Sequence, residues 1–310
     1  MSGVAAAPPP PPPLRTRLTP RLPVDLRLTL GPLWRGPRDP SMRLGDGEVW
    51  RATRTPQGPV TTHLRVEGPS IVVRAWGPGA EWALEAAPAL VGDGDDEDGF
   101  VAHHPIVGEL RRRLAGLRMP RTSAVVEALV PTILEQKVVG LEAKRSYARL
   151  VRALSGPAPG PGRLLLPPEP ARLAATPYYA FHPFGIERRR ADTVRTACRH
   201  ARRLEEAATM TPADARRRLM AVPGVGPWTA AEVARAALGD ADAVSEGDYH
   251  LPHQVAWALA GEARADDARM LELLEPYRGH RGRVIRLLVA GHPGPPRFGP
   301  RLPLKSIVSY

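Results

Sequence analysis

Leu219-Met-Ala-Val-Pro-Gly-Val-Gly-Pro-Trp-Thr-Ala230 carries the densest chemical signal in this 310-residue sequence. Pro223 stops the helix before it. Gly224 and Gly226 allow positive φ in a tight hairpin, and without Cβ atoms they let backbone N–H groups approach an anion. The next helix begins near Pro227 or Trp228, where proline is tolerated and the helix dipole is positive. Such a hairpin holds a nucleic-acid phosphate without reading a base; an ordinary glycine turn is the bland alternative. Asp248 follows twenty residues after Trp228, in Ser245-Glu-Gly-Asp-Tyr-His-Leu251. Read alone, Asp248 is a helix N-cap ahead of Tyr249–Ala260. Glu246 is the other carboxylate in that loop. His250 and His253 flank it, but a histidine pair without a third ligand is weak evidence for a metal.

Helices must position this pair, and helical periodicity runs from His104 onward. Ile106, Leu110, Leu114 and Leu117 form one apolar stripe; Val125, Val126, Leu129, Ile133 and Leu134 form another. Leu141–Leu154 follows, then a Pro/Gly loop from Gly156 to Pro168. Glu187–Leu204 sets Ala191, Val194, Cys198, Ala201 and Leu204 on one face, with Arg188, Arg189, Arg195, Arg199, Arg202 and Arg203 on the other. Cys198 reads as a buried small hydrophobe. Pro212–Met220, Trp228–Leu238, His253–Ala260 and Arg281–Ala290 complete a helical domain over 104–293.

The earlier residues read differently. Residues 1–23 are a disordered, proline-rich tail, with a polyproline II signature at Pro8–Pro13. Residues 24–92 are a small β-rich domain: Asp25–Leu30 alternates polar and apolar, and Glu48–Thr55, Val60–Glu67 and Ser70–Trp76 are strand-like. Ala80–Val91 is a helix on that sheet. Residues 93–103, with Asp93, Asp95, Asp96, Glu97 and Asp98, read as a solvated acidic linker. Residues 294–310 are a C-terminal tail.

Charge separates these parts. The net charge is +11, but residues 1–100 carry 11 basic and 12 acidic side chains, and residues 101–310 carry 32 and 20. The excess sits with the hairpin and points to a polyanion. Arg216, Arg217 and Arg218 lie just before it. The arginine-heavy, asparagine-free composition also suits a GC-rich genome. One cysteine excludes an intrachain disulfide, a four-cysteine zinc site and a four-cysteine iron–sulfur cluster. No 18-residue apolar run and no secretory pattern are found. The expectation is a soluble cytoplasmic monomer, nucleoid-associated, with no membrane partner.

The hairpin followed by Gly-Asp-Tyr resembles the helix-hairpin-helix DNA glycosylases, and within them the alkylbase group of the 3-methyladenine DNA glycosylase II type. Ile133-Leu-Glu-Gln-Lys-Val138 is similar to that family's Gln-containing segment. Phe184-Gly-Ile-Glu-Arg-Arg-Arg-Ala191 is similar to its Gly-Ile/Leu-x-x-Lys-Ala segment. The resemblance covers about residues 104–293 and implies an α+β chain. A mainly α-helical glycosylase domain is preceded by a small antiparallel β-sheet domain.

The resemblance makes Asp248 the catalytic carboxylate, facing the oxocarbenium-like sugar left when an N-glycosidic bond breaks. Trp228 stands where bifunctional relatives place a lysine, so a monofunctional enzyme without lyase activity is implied. Trp228 and Tyr249 become walls of a base pocket that favours a cationic alkylated purine. Gly224, Val225, Gly226 and Thr229 become the phosphate-binding hairpin. Gln136 and Lys137 become candidates for the residue that fills the gap left by a flipped base, with Lys137 departing from the bulky apolar residue usual there. The partner implied is double-stranded DNA containing damaged bases. No cofactor is required, no metal ligand set is present, and a monovalent cation at the hairpin is compatible with the family. A non-catalytic hairpin DNA-binding protein, and a glycosylase for oxidised or deaminated bases, are the alternatives.

Overall fold

The computed structural model describes residues 12–296. Most of the proline run, the segment 297–310 and Lys305 lie outside the described residues. Strands β1 (Leu14–Leu18), β2 (Met42–Leu44), β3 (Glu48–Thr55), β4 (Gly58–Glu67) and β5 (Ser70–Trp76) form one antiparallel sheet in the order β1-β5-β4-β3-β2. β3 and β5 have the ends that alternation predicts, and β4 begins two residues earlier. Gly68, at φ +62°, opens the two-residue turn between Glu67 and Ser70, a position where primed hairpin turns need positive φ.

Two expectations for this region are corrected. Leu14–Leu18 is not tail but edge strand β1, paired with Leu18↔Ile71 through Leu14↔Ala75; its alternation Leu-Arg-Thr-Arg-Leu is the signal passed over. Asp25–Leu30 is not a strand. Asp25 Oδ1 accepts the amides of Arg27 and Leu28 at 2.8 and 2.9 Å, starting helix α1 at Leu26–Leu30. A local side-chain cap overrides the alternation. α1 and α2 (Ala80–Leu90) close the inner face of the sheet, around Leu30, Val49, Leu64, Val73 and Ala87. On the outer face Trp50 stacks on His63 at 4.0 Å and on Trp76 at 5.5 Å. The loop after residue 155 lies on this stack so closely that a Cβ on Gly160 would come within 2.6 Å of Trp76 Cγ.

The remaining helices are α3 (Pro105–Arg113), α4 (Val125–Glu135), α5 (Gly140–Leu154), α6 (Pro170–Ala175), α7 (Arg188–Arg199), α8 (Ala201–Glu205), α9 (Pro212–Met220), α10 (Pro227–Val233), α11 (Leu251–Ala260), α12 (Asp267–Leu274) and α13 (Arg281–Gly291). They build two apolar cores. One gathers α4, α5, α7, α9 and α10 around Leu129, Ile133, Leu150, Val194 and Leu219. The other gathers α3, α11, α12 and α13 around Leu110, Val255, Met270 and Leu288. The hairpin's Val222 and Val225 belong to the first core, and Val244 and Leu251, on either side of Asp248, to the second. Asp248 and the hairpin therefore meet at the seam between two independently packed bodies.

α4 is fixed at both ends. Glu205 accepts the amides of Val125 and Val126 at 2.8 and 2.9 Å, giving the N-terminus an anionic cap. Arg190, 1% exposed, donates to the Leu134 carbonyl at 2.8 Å near the other end. The helix thus delivers Glu135, Gln136 and Lys137 to a defined place. Cys198 is buried in the first core, and burial pushes its thiol up to about 12, so it behaves as the small hydrophobe its position suggests.

The acidic segment is not a solvated linker. Asp95 accepts both Nη1 and Nη2 of Arg283, each at 2.7 Å, and both side chains are buried. Glu97 binds Arg111 at 2.8 Å and also binds Arg118. Asp93 accepts the amide of Arg21 at 2.8 Å. Carboxylates that look like a hydrophilic run instead clasp α13 and the end of α3, because the buried Arg283 on α13 and the buried Arg118 after α3 need anions. No helix among the described residues is long and apolar enough to cross a membrane.

Candidate active site

The hairpin turns between α9 and α10. Gly224 has φ +91°, and a Cβ there would lie 2.3 Å from Thr193 Oγ1 on α7. Glycine is required here by conformation and by contact. Gly226 differs from expectation: its φ of −100° is ordinary for any residue, and a Cβ would meet nothing within 4 Å. Its bare backbone faces open space. The amides of Gly224, Gly226, Trp228 and Thr229 find no protein acceptor among the described residues. The Val225 amide does not belong with them, since it donates to the Val222 carbonyl at 3.0 Å within the turn. The Thr229 hydroxyl is also withdrawn: Thr229 is 2% exposed and bonded inward to Gln136.

Gln136 is the brace of the hairpin. Its Nε2 donates to the Gly224 carbonyl and to Thr229 Oγ1, both at 2.9 Å. This corrects its expected place among gap-filling side chains, because its amide is engaged within the fold. The next residue, Lys137, is exposed at the apex of the turn, with a left-handed φ of +56°. That conformation is uncommon for a side chain other than glycine, asparagine or aspartate. Leu141, on the first turn of α5, is also half exposed to solvent.

Across the seam, Trp228 Nε1 donates to Asp248 Oδ2 at 2.9 Å. Asp248 Oδ1 accepts the amides of His250 and Leu251 at 2.8 and 2.9 Å. Oδ1 thus closes the turn that leads into α11, whose N-cap position is His250. Three donors orient this group, and it remains partly exposed. The Gly247 amide donates to Asp267 Oδ2 on α12 at 2.8 Å, which fixes the loop from behind. Glu246 is exposed on the same loop.

A second rung ties α10 to this loop. Ser245, fully buried, donates from Oγ to Glu232 Oε1 at 2.6 Å. Arg235, in the single π-helical turn Ala234–Leu238 that follows α10, binds the same oxygen. Glu232 is four residues after Trp228, so the two share a helix face. Glu135 comes to the same place from the end of α4 and accepts Arg35 Nη1 at 2.9 Å. Burial pushes the Glu135 carboxyl up; Arg35 and Lys144 oppose this, and neighbouring Glu232 adds to it. Glu232 and Glu135 were missed in the sequence, although one lies a helical turn from Trp228 and the other precedes Gln136.

The other expected residues separate. Tyr249 is 76% exposed, edge-on to His250 at 4.9 Å, and not packed on Trp228. His253 Nδ1 accepts the Ala265 amide at 3.1 Å. No group of three or more His, Cys, Asp or Glu side chains with metal-holding geometry occurs among the described residues. Arg188, Arg189, Arg199, Arg202 and Arg203 line the solvent side of α7 and α8, beyond Thr193 and the hairpin it touches. Arg217 and Arg218 are ion-paired with Asp214 and Glu206.

No protein-family model and no curated protein matches the sequence. The fold has close counterparts among solved structures. A 3-methyladenine DNA glycosylase from Archaeoglobus fulgidus is 18% identical, with 88% of this chain and 97% of that one covered and a TM-score of 0.73. An 8-oxoguanine glycosylase/lyase from Clostridium acetobutylicum is 11% identical, with 90% and 98% covered and a TM-score of 0.70. A 3-methyladenine DNA glycosylase from Schizosaccharomyces pombe, bound to abasic DNA, is 15% identical, with 66% and 95% covered and a TM-score of 0.50. The fold is that of the helix-hairpin-helix DNA glycosylases.

Proposed function

We propose that this chain is a monofunctional DNA glycosylase of base excision repair. It flips out alkylated purines of the 3-methyladenine or 7-methylguanine type and hydrolyses their N-glycosidic bond. The observation that carries this reading is Asp248, held by three donors and partly exposed beside the hairpin. As the bond between sugar C1′ and the base nitrogen breaks, its electron pair leaves with the base. A cationic base departs neutral, which lowers the barrier. The sugar becomes oxocarbenium-like, and the Asp248 carboxylate stabilises that charge. Water then adds to C1′ and loses one proton, leaving an abasic site.

The free amides of Gly224, Gly226, Trp228 and Thr229 cradle one backbone phosphate, with the α7 and α8 arginines adding sequence-independent attraction. Flipping costs a few kcal/mol, less for a poorly paired lesion. The exposed Lys137 occupies the gap, its stem between bases and its ammonium toward a phosphate. Tyr249, equally exposed, is available to stack on DNA. The chain works as a monomer on damaged double-stranded DNA, without a required cofactor.

Duplexes each bearing one lesion test this. Release of 7-methylguanine and 3-methyladenine, leaving strands that break only in hot alkali, is the expected result. Release of 8-oxoguanine alone, the base given in the Clostridium protein's name, would replace the alkylbase reading with an oxidised-base one. Release of no base from any duplex would leave a DNA-binding protein.

A further inference from the structure

We infer that Glu232 is the residue that selects the flipped base, favouring a cationic base over a neutral one. This rests on the glycosylase reading above. Glu232 stands one helical turn from Trp228 on the face that meets Asp248. The two rungs, Trp228–Asp248 and Glu232–Ser245, run side by side between α10 and the same loop. A base swung against Trp228 therefore comes within reach of Glu232.

The state of the Glu232 carboxylate supports a reading role. Oε1 is occupied by Ser245 and Arg235. Oε2 has no hydrogen-bond partner among the described residues, and the side chain is 28% exposed. Ser245 contributes nothing to solvent; its hydroxyl serves to hold Glu232. An anchored carboxylate with one open oxygen accepts N–H donors and attracts positive charge.

The neighbourhood sharpens the choice. Glu135, near enough for Glu232 to push its carboxyl up further, also has one oxygen on Arg35 and the other without a partner among the described residues. Two carboxyl groups this close repel when both are ionised, and a nearby cation relieves that. Arg286, whose guanidinium burial lowers to about 10, has its Nη2 on the Leu28 carbonyl at 2.5 Å. Arg35, Arg235 and Lys144 complete the charged surroundings. Tyr249 packs on His250 and not on Trp228, so among the described residues no preformed aromatic sandwich flanks Trp228, and charge is the remaining discriminator.

The test is single-turnover excision by the full chain on two duplexes. One carries 7-methylguanine, a cation; the other carries 1,N6-ethenoadenine, a neutral adduct. Glu232→Gln is expected to slow release of the cationic base about tenfold or more, and to leave release of the neutral adduct within about twofold. Ser245→Ala is expected to change the ratio in the same direction by less. Binding of each variant to an abasic duplex, which presents no base, should match wild type and shows that the fold is intact. An equal loss on both duplexes, or no loss on either, overturns the inference while the glycosylase reading stands. Failure of the wild-type chain to release either base removes both.

Discussion

The indole N–H of Trp228 points at the carboxylate of Asp248 across a seam between two separately packed helical bodies, 2.9 Å from nitrogen to oxygen. One body supplies the hairpin and the ring; the other supplies the carboxylate. The contact therefore reports whether the two are docked correctly. It also gives tryptophan a role that phenylalanine would lack. Trp228→Phe keeps a ring and loses the donor. Its expected effect is a fall of about tenfold in single-turnover excision, the worth of one hydrogen bond to a charged group. Trp228→Ala also loses stacking, about 1–3 kcal/mol, and should fall further. Equal rates for the Phe variant and wild type would show that the contact does not orient Asp248.

In the reading proposed above, the α10 position that a lyase would fill with an amine carries the Trp228 indole. Lys137 sits on the turn after α4 and Lys144 on α5. Incubation with a lesion duplex and borohydride should leave no covalent protein–DNA adduct. A trapped adduct would place an unrecognised amine at the sugar and contradict the monofunctional reading.

The two hairpin glycines should respond in opposite ways. Gly224→Ala must accommodate a Cβ at φ +91° against Thr193, and the backbone strain alone costs about 1–3 kcal/mol. Its unfolding midpoint should drop. Gly226→Ala has room and an ordinary φ, so stability should not change. Its DNA affinity should weaken about tenfold, because the methyl group occupies the space a phosphate needs. A Gly226→Ala chain that binds normally would place the phosphate elsewhere.

Much of this was legible in the amino-acid sequence. The hairpin and the limits of β3 and β5 follow from glycine, proline and alternation, all of them local signals, whereas Asp248 stands out only through the family resemblance. What escaped depends on distant partners. Asp95 looks solvated until Arg283, 188 positions later, is seen to need it. Arg190 lies in a run of three arginines, and only the path of α4 makes it the buried one. Nothing local to Gln136 says that its amide meets Gly224 and Thr229. Leu14–Leu18 and Asp25–Leu30 were misread for opposite reasons: a real alternation was ignored in the first, and a cap was outvoted by alternation in the second.

The clasp made by the acidic segment should dominate stability. Asp95→Asn removes the carboxylate that pairs both Nη1 and Nη2 of buried Arg283, leaving Glu97 at 3.6 Å as its remaining ion pair, and should cost about 3–5 kcal/mol in denaturant unfolding. A cost below about 1 kcal/mol, the value of a surface pair, would return the segment to the role of linker.

Acid should loosen the same clasp. Burial raises the Glu97 carboxyl, but the Arg111 hydrogen bond and the charges of Arg118 and Arg283 outweigh it and hold the group below its ordinary range. A carboxylate depressed in the folded state stabilises the fold above its unfolded value. That contribution is lost as pH falls through the folded one. Glu97→Gln should therefore be less stable than wild type at neutral pH, and the two unfolding curves should converge in acid. A gap between them that stays constant with pH would mean that lost packing, not charge, is responsible.

Asp248→Asn tests the central claim most directly, by single-turnover release of 7-methylguanine alongside binding to an abasic duplex. The substitution keeps the size of the side chain and the oxygen that caps α11. The account predicts a rate lower by about 10²–10³ with abasic-site binding within about twofold of wild type. Undiminished release by the Asn variant would contradict it.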